Sequence, residues 1–184
     1  MRIIAGRWRG RTLVVPAGAT TRPTADRTRE ALFSMLVSRL GAFDGLAVAD
    51  IFAGTGALGL EALSRGATSC VFVEQERDAL AALRANIAML NAPAEVLPTG
   101  VANLGRAPRP CDLLLFDPPY GSGGAGALIE RLTRLGWATP GAWASVETGR
   151  GEQVWAEGWT LNTERMHGKA KLSLLARSPA APPG

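Results

Sequence analysis

The sequence predicts an α/β protein: a mostly parallel, seven-stranded sheet that ends in an antiparallel hairpin, preceded by a small N-terminal hairpin and helix. Three observations carry this. Apolar runs such as CDLLLFD lack the polar alternation of a half-exposed strand, these runs alternate with segments of helical period, and two late runs flank a tight His167-Gly168 turn. Strands buried on both faces read as continuous apolar stretches, and helices between them make neighbouring strands parallel. The 184 residues, 47% hydrophobic and 20% charged, suit one compact domain over 1–177, divided into a basic N-terminal appendage (1–44) and a core (45–177).

The elements follow in order. Residues 2–4 and 12–15 read as a small hairpin, and a helix from about 26 to 40 would bury Ala31, Leu32, Met35, Leu36 and Leu40, with Thr24 as its N-cap. Residues 46–51 form the first strand, 56–65 a helix, Ser69–Glu74 a strand, and Arg77–Leu90 a helix with Leu80, Leu83, Ile87 and Leu90 at helical spacing. Strands at 94–99 and 111–117, a helix at 126–135 and a strand at 142–148 after the Pro140-Gly141 turn complete the parallel part. Residues 159–165 and 171–176 make the closing hairpin, and SPAAPPG (178–184) is expected to be a disordered tail. Trp137, Trp143, Trp155 and Trp159 fall in these late segments and are expected to pack the core.

Composition excludes several classes. No uncharged stretch exceeds 12 residues, well short of the roughly 20 apolar residues of a membrane span, and the arginine-rich start lacks a secretory apolar region. The two cysteines, Cys70 and Cys111, have no neighbours at metal-ligand spacing, so no metal is expected and a reducing cytoplasm fits best. The net charge of +4 is uneven: residues 1–30 hold seven arginines and carry +5, and the remainder carries −1. A neutral body with a cationic arm is the pattern of a polyanion binder. In an extended segment Arg7, Arg9 and Arg11 would share one face with Trp8 on the other, lining three guanidiniums along a phosphate backbone. Arg22 and Arg27 could frame a site mouth with Thr24, Asp26 and Arg29, although Asp26 could equally pair with Arg27 or Arg29 within the helix.

Two motifs carry chemistry. Asp50-Ile51-Phe52-Ala53-Gly54-Thr55-Gly56-Ala57-Leu58-Gly59 places G-x-G-x-x-G between a strand and a helix, and Glu74 ends the next strand 20 residues after Gly54. Glycines let the backbone approach a ligand, and a carboxylate at that strand tip suits a ribose diol. Asp50, Ala53, Gly54, Gly56, Glu74 and Gln75 are therefore the candidate cofactor contacts. Asp50, at the strand end, suits the ammonium of S-adenosylmethionine better than a pyrophosphate, which it would repel. The antiparallel ending also looks like the class I methyltransferase version of the Rossmann-like fold.

The second motif is Asp117-Pro118-Pro119-Tyr120 at the end of the fourth strand, where open α/β sheets bind ligands. An exocyclic amino group on a nucleobase is a weak nucleophile, because its lone pair is delocalised into the ring. Asp117 and the Pro118 carbonyl could each accept one of its N–H groups, and Tyr120 offers a face for stacking. Such an arrangement catalyses mainly by orientation, holding the nitrogen in line with the sulfonium methyl.

RIIAGRWRGRTL, RPTADRTREALFSML, DIFAGTGALGLEALSRGA, FVEQER and LLLFDPPYG, in this order, resemble the bacterial 16S rRNA guanine-N2 methyltransferase family that modifies guanine 966. The resemblance covers nearly the whole chain. It implies methyl transfer from S-adenosylmethionine to a guanine N2 in the 30S subunit or an assembly intermediate; separately, a monomer is expected. The chain departs from the family in two places. Thr99-Gly100-Val101-Ala102-Asn103 lacks the acidic residue that usually lies near the adenine, so backbone groups are expected to serve there, and His167 stands where an aromatic residue is common and is expected to be a surface turn residue with no role. Three other readings remain. They are a DNA adenine-N6 methyltransferase, a nucleotide-binding oxidoreductase and a non-catalytic RNA-binding assembly factor.

Overall fold

The computed structural model describes residues 1–17, 23–119 and 124–179, with backbone only at 23 and 24. Arg22, Tyr120 and most of the 178–184 tail lie outside the described residues. Helix α1 spans Pro23–Leu40. The parallel strands are β1 (Ala47–Ile51), β2 (Ser69–Glu74), β3 (Ala94–Pro98), β4 (Cys111–Phe116) and β5 (Ala138–Gly149), joined through α2 (Ala57–Ser64), α3 (Arg77–Leu90) and α4 (Ala125–Arg134). Strands β6 (Trp159–His167) and β7 (Ala170–Arg177) close the sheet, which runs β3-β2-β1-β4-β5-β7-β6, with β7 antiparallel to both neighbours. Strand order reverses between β1 and β4, so the crevice at their carboxyl ends is where such a fold receives ligands.

The pleat divides the core. Val48, Phe72, Leu113 and Leu115 pack beneath α1, α2 and α3, and Ala49, Val71, Leu114 and Phe116 point to the other face, under α4. Among the described residues no helix is long and apolar enough to cross a membrane.

Several expectations are corrected. Helix α1 begins at Pro23, whose fixed φ and missing N–H suit the first helical position, so Thr24 lies in the first turn and is not the cap. Ala31 and Leu40 are only half-buried, and Phe33 takes the central place in the core. Strand β5 is longer than expected because Pro140-Gly141 forms a bulge in it, where pairing shifts between Cys111 and Leu113. Trp137 and Trp159 are buried and Trp143 partly so, but Trp155 is 74% exposed.

The basic arm is not extended. A single antiparallel bridge joins Arg2 and Thr12, and the residues between turn twice, through Arg9 N to Gly6 O and Arg11 N to Trp8 O. Period-two alternation therefore does not order Arg7, Arg9 and Arg11. All three are exposed, and the Arg7 guanidinium lies 4.1 Å from the centre of the Trp8 ring. The arm is anchored on α2: fully buried Glu61 accepts the Ile4 and Ala5 N–H groups at 2.8 and 3.0 Å, and Ser64 Oγ accepts from Trp8 N at 3.0 Å. A Cβ on Gly6 would meet Ser64 O at 1.8 Å, so this approach requires glycine. Buried Asn86 of α3 clasps Val14 through both N–H and C=O and also donates to Thr55 O, linking arm and glycine loop.

Candidate active site

The glycine loop follows β1 and opens α2. Gly54 has φ +56 and open space where a Cβ would stand, while a Cβ on Gly59 would strike the Phe72 ring at 2.4 Å. The first glycine thus serves the loop and the third serves helix–strand packing. Glu74, at the tip of β2, binds the loop directly: one carboxylate oxygen accepts from Gly54 N at 2.7 Å, and the other from Gln75 N and Glu76 N. Ala53 is fixed by its N–H to Val73 O, its carbonyl accepts from Gly56 N, and Gly56 caps α2.

A cavity of about 560 Å³ opens beside these groups, bounded by Phe52, Glu74, Gln75, Asn103, Asp117 and Pro118. Its size is that of a small-molecule pocket. Ala53, Gly54, Gly56 and Asp50 are not among the residues that line it. Asp50 is 1% exposed and accepts the Gly59 N–H at 2.8 Å through one oxygen, while its other oxygen has no partner. Burial pushes its pKa up to about 7, against the pull of the Gly59 hydrogen bond and with added repulsion from Asp117 and Glu74. Asp50 therefore tethers the start of α2 through one oxygen, and the other is buried without a partner within reach of the charges of Asp117 and Glu74.

The wall after β3 is a short 3-10 turn, Val101–Asn103, that sequence reading missed. Arg131 of α4 holds it from behind, donating to the carbonyls of Val101, Ala102 and Leu104 at 2.8, 2.9 and 2.7 Å. Phe52, also missed, lines the cavity with φ +76, a left-handed conformation that a bulky side chain adopts at a cost.

A second cavity, about 530 Å³, lies between α1, the start of α2 and the β6–β7 turn. Asp117 lines both cavities, and it does so from the end of β4, as its position in the sequence predicted. Its side chain keeps access to solvent, yet the surrounding protein raises its pKa to about 7, with further repulsion from Glu147. His167 ends β6 beside the turn, half-buried, and lines this cavity with Lys169 and Glu147. Arg29 is 5% exposed and also borders it, donating to Asp26 at 3.2 Å and to the Arg2 carbonyl. Asp26 is thereby settled as its helical partner, and Arg27 is exposed on α1.

Residues 1–176 match the family model described as Conserved hypothetical protein 95. The chain is 36% identical over 181 residues to ribosomal RNA small subunit methyltransferase D of Escherichia coli, an alignment covering 96% of this chain and 90% of the relative. The chain belongs to the ribosomal RNA small subunit methyltransferase D family. A solved putative methyltransferase from Escherichia coli superposes with a TM-score of 0.84 at 34% identity, covering 97% of this chain and 98% of the other. Magnesium protoporphyrin IX methyltransferase of Synechocystis, solved with bound SAM, shares the fold alone, with a TM-score of 0.66 at 17% identity over 84% and 80% of the two chains. The chain thus carries the class I methyltransferase fold that the sequence predicted. Of the site residues that sequence reading missed, Glu147 alone had a local signal: a charge in the apolar run ASVET at the carboxyl end of a strand. Phe52, Lys169 and Arg131 had none, since their placement depends on loop geometry and on long-range packing, and His167 was placed at the turn but given no role.

Proposed function

We propose that the protein transfers a methyl group from S-adenosylmethionine to the exocyclic N2 of a guanine in 16S rRNA, guanine 966 of the 30S subunit or an assembly intermediate, acting as a single copy. The observation that carries this reading is Asp117, which borders both cavities at once. A transfer between two bound molecules needs one group at their junction, and Asp117 stands between the cavity beside the glycine loop and the cavity under the basic arm. The known activity of family relatives supports the rRNA part of the reading, and the bound SAM of the Synechocystis enzyme supports the donor.

The residues fit that donor. Glu74 holds the loop and lines the cavity, and the oxygen that accepts only from Gly54 N keeps acceptor capacity for a ribose hydroxyl. The partnerless Asp50 oxygen beneath the loop favours the cationic end of the ligand. When bound, S-adenosylmethionine supplies an electrophilic methyl. Asp117 then accepts one N–H of the target amino group, the Pro118 carbonyl accepts the other, and the nitrogen lone pair turns toward the methyl. The proton released after transfer comes from a strongly acidic ammonium, so Asp117 serves chiefly by orientation.

The test is methyl transfer from labelled S-adenosylmethionine into undermethylated 30S subunits, naked 16S rRNA and DNA, with Asp117→Ala alongside and the product nucleoside identified by mass. N2-methylguanosine in rRNA that vanishes in the variant is the expected result. N6-methyladenine in DNA would overturn the substrate assignment, and no transfer into any of the three would overturn the enzymatic reading.

A further inference from the structure

We propose that the cavity between α1 and the β6–β7 turn takes the target base, and that Glu147 selects guanine there by accepting its N1–H while Lys169 donates to O6. The inference rests on the methyl-transfer reading above and adds the means of base choice.

The placement begins in the sheet. Strands β4 and β5 pair in parallel as far as Phe116 and Val146; Asp117 follows the end of β4 there, and Glu147 continues β5 opposite Leu172 of β7, so both stand at the same end of the sheet. Both line the second cavity, and the negative charge of Glu147 is felt at Asp117. Two neighbouring carboxylates at one wall make that wall rich in acceptors, which suits a ligand edge with two adjacent donors.

Among the four RNA bases only guanine presents two adjacent donors, N1–H and the N2 amino group. Adenine and cytosine flank their amino groups with a ring nitrogen acceptor, and uracil has no amino group. An adenine amino group held by Asp117 would set its N1 lone pair against Glu147, and a cytosine would do the same with N3. The third group on the guanine edge, the O6 acceptor, needs a donor, and Lys169 lines the same cavity from the β6–β7 turn. Leu32 and Leu58 supply apolar surface for the faces of the base. Reading this edge requires a base out of its pair and out of its stack, as expected for chemistry on an exocyclic amine.

The probe is 2,6-diaminopurine, which keeps the N2 amino group but has a bare N1 acceptor and an amino group in place of O6. Reconstituted 30S particles would carry either guanine or 2,6-diaminopurine at the target position, introduced by splinted ligation of the 16S rRNA. Wild type is expected to favour guanine in kcat/KM by about 10- to 100-fold. Glu147→Ala is expected to bring the ratio close to one, with folding checked by thermal melting. Equal rates on the two bases with wild-type protein would overturn the base-reading proposal while leaving methyl transfer intact, and this comparison needs no variant. A preference for guanine that survives in folded Glu147→Ala would remove Glu147 from the role. Absence of transfer to guanine by wild type would instead refute the methyl-transfer reading, and the base assignment with it.

Discussion

The raised pKa of Asp117 makes a sharp prediction for the pH dependence of methyl transfer. Its ordinary value is 3.8 and the surrounding protein lifts it to about 7, first by desolvation and then through the charge of Glu147. The carboxylate is the form that accepts an amino N–H, so the active fraction is lost as pH falls through about 7. One unit below that point roughly a tenth of the enzyme is ionised, and kcat/KM should fall about tenfold for each further unit. Asp117→Asn keeps one acceptor oxygen but loses the charge. Its activity at pH 8 should fall by about 10²–10³, the usual loss for a charged contact to the reacting group, and its profile should lose the acid limb. Glu147→Gln should move the limb to lower pH, because the neighbouring repulsion is gone. The assay is initial-rate transfer of labelled methyl into 30S subunits at subsaturating RNA from pH 5.5 to 8.5. A limb that persists unchanged in Asp117→Asn would refute the reasoning and transfer the titration to another group on the same cavity, such as His167.

Other expectations follow from separate features of the fold. Changing Arg7, Arg9 and Arg11 together to Ala should lower the dependence of log Kd on log salt by about two to three units in filter binding to 16S rRNA, without affecting S-adenosylmethionine binding. Arg131→Ala frees the turn that walls the donor cavity and should weaken S-adenosylmethionine binding roughly tenfold by calorimetry, with little effect on RNA affinity. Asp50 is fully buried with its pKa raised from 3.8 to about 7, so its contribution to stability is full below the lower value and is lost as pH rises through the upper one. Across that window the wild type should lose up to about 4 kcal/mol that Asp50→Asn does not, and Tm measured from pH 4 to 8 should move in the variant's favour. Glu61→Ala strands two arm N–H groups and the Arg65 guanidinium, so it should cost about 3–5 kcal/mol in denaturant unfolding and expose the arm to limited proteolysis.

Much of the architecture was legible because its signals are local. Continuous apolar strands such as CDLLLFD can satisfy themselves only in a covered parallel sheet, and Glu74 lies where a β-α-β count places it. The same local logic failed wherever backbone direction changed at a glycine or proline. The period-two reading of Arg7, Arg9 and Arg11 assumed a straight strand, but the turns after Gly6 and Trp8 fold it back on itself. Pro140-Gly141 was read as the boundary of a strand that in fact continues through it as a bulge. The place of Asp50 at the end of β1 did not tell that its carboxylate is buried, with the Gly59 N–H on one oxygen. The wall of the second cavity was illegible for a different reason: α1, β5 and the β6–β7 turn contribute to it from more than a hundred residues apart, and no spacing rule connects them.

That long-range assembly explains why the arm is part of the site and not merely attached to it. Asn86 binds both Val14 of the arm and Thr55 of the glycine loop, and Arg29 of α1 fixes the Arg2 carbonyl while bordering the second cavity. Displacing the arm therefore removes a support of the glycine loop and of the border of the second cavity together. On the proposed reading, RNA held at the exposed arginines would act on both sides of Asp117 through packed, hydrogen-bonded neighbours, so loss of the arm should impair the two binding steps jointly. A Glu61→Ala protein that binds S-adenosylmethionine as tightly as wild type would break that link and reduce the arm to an RNA tether.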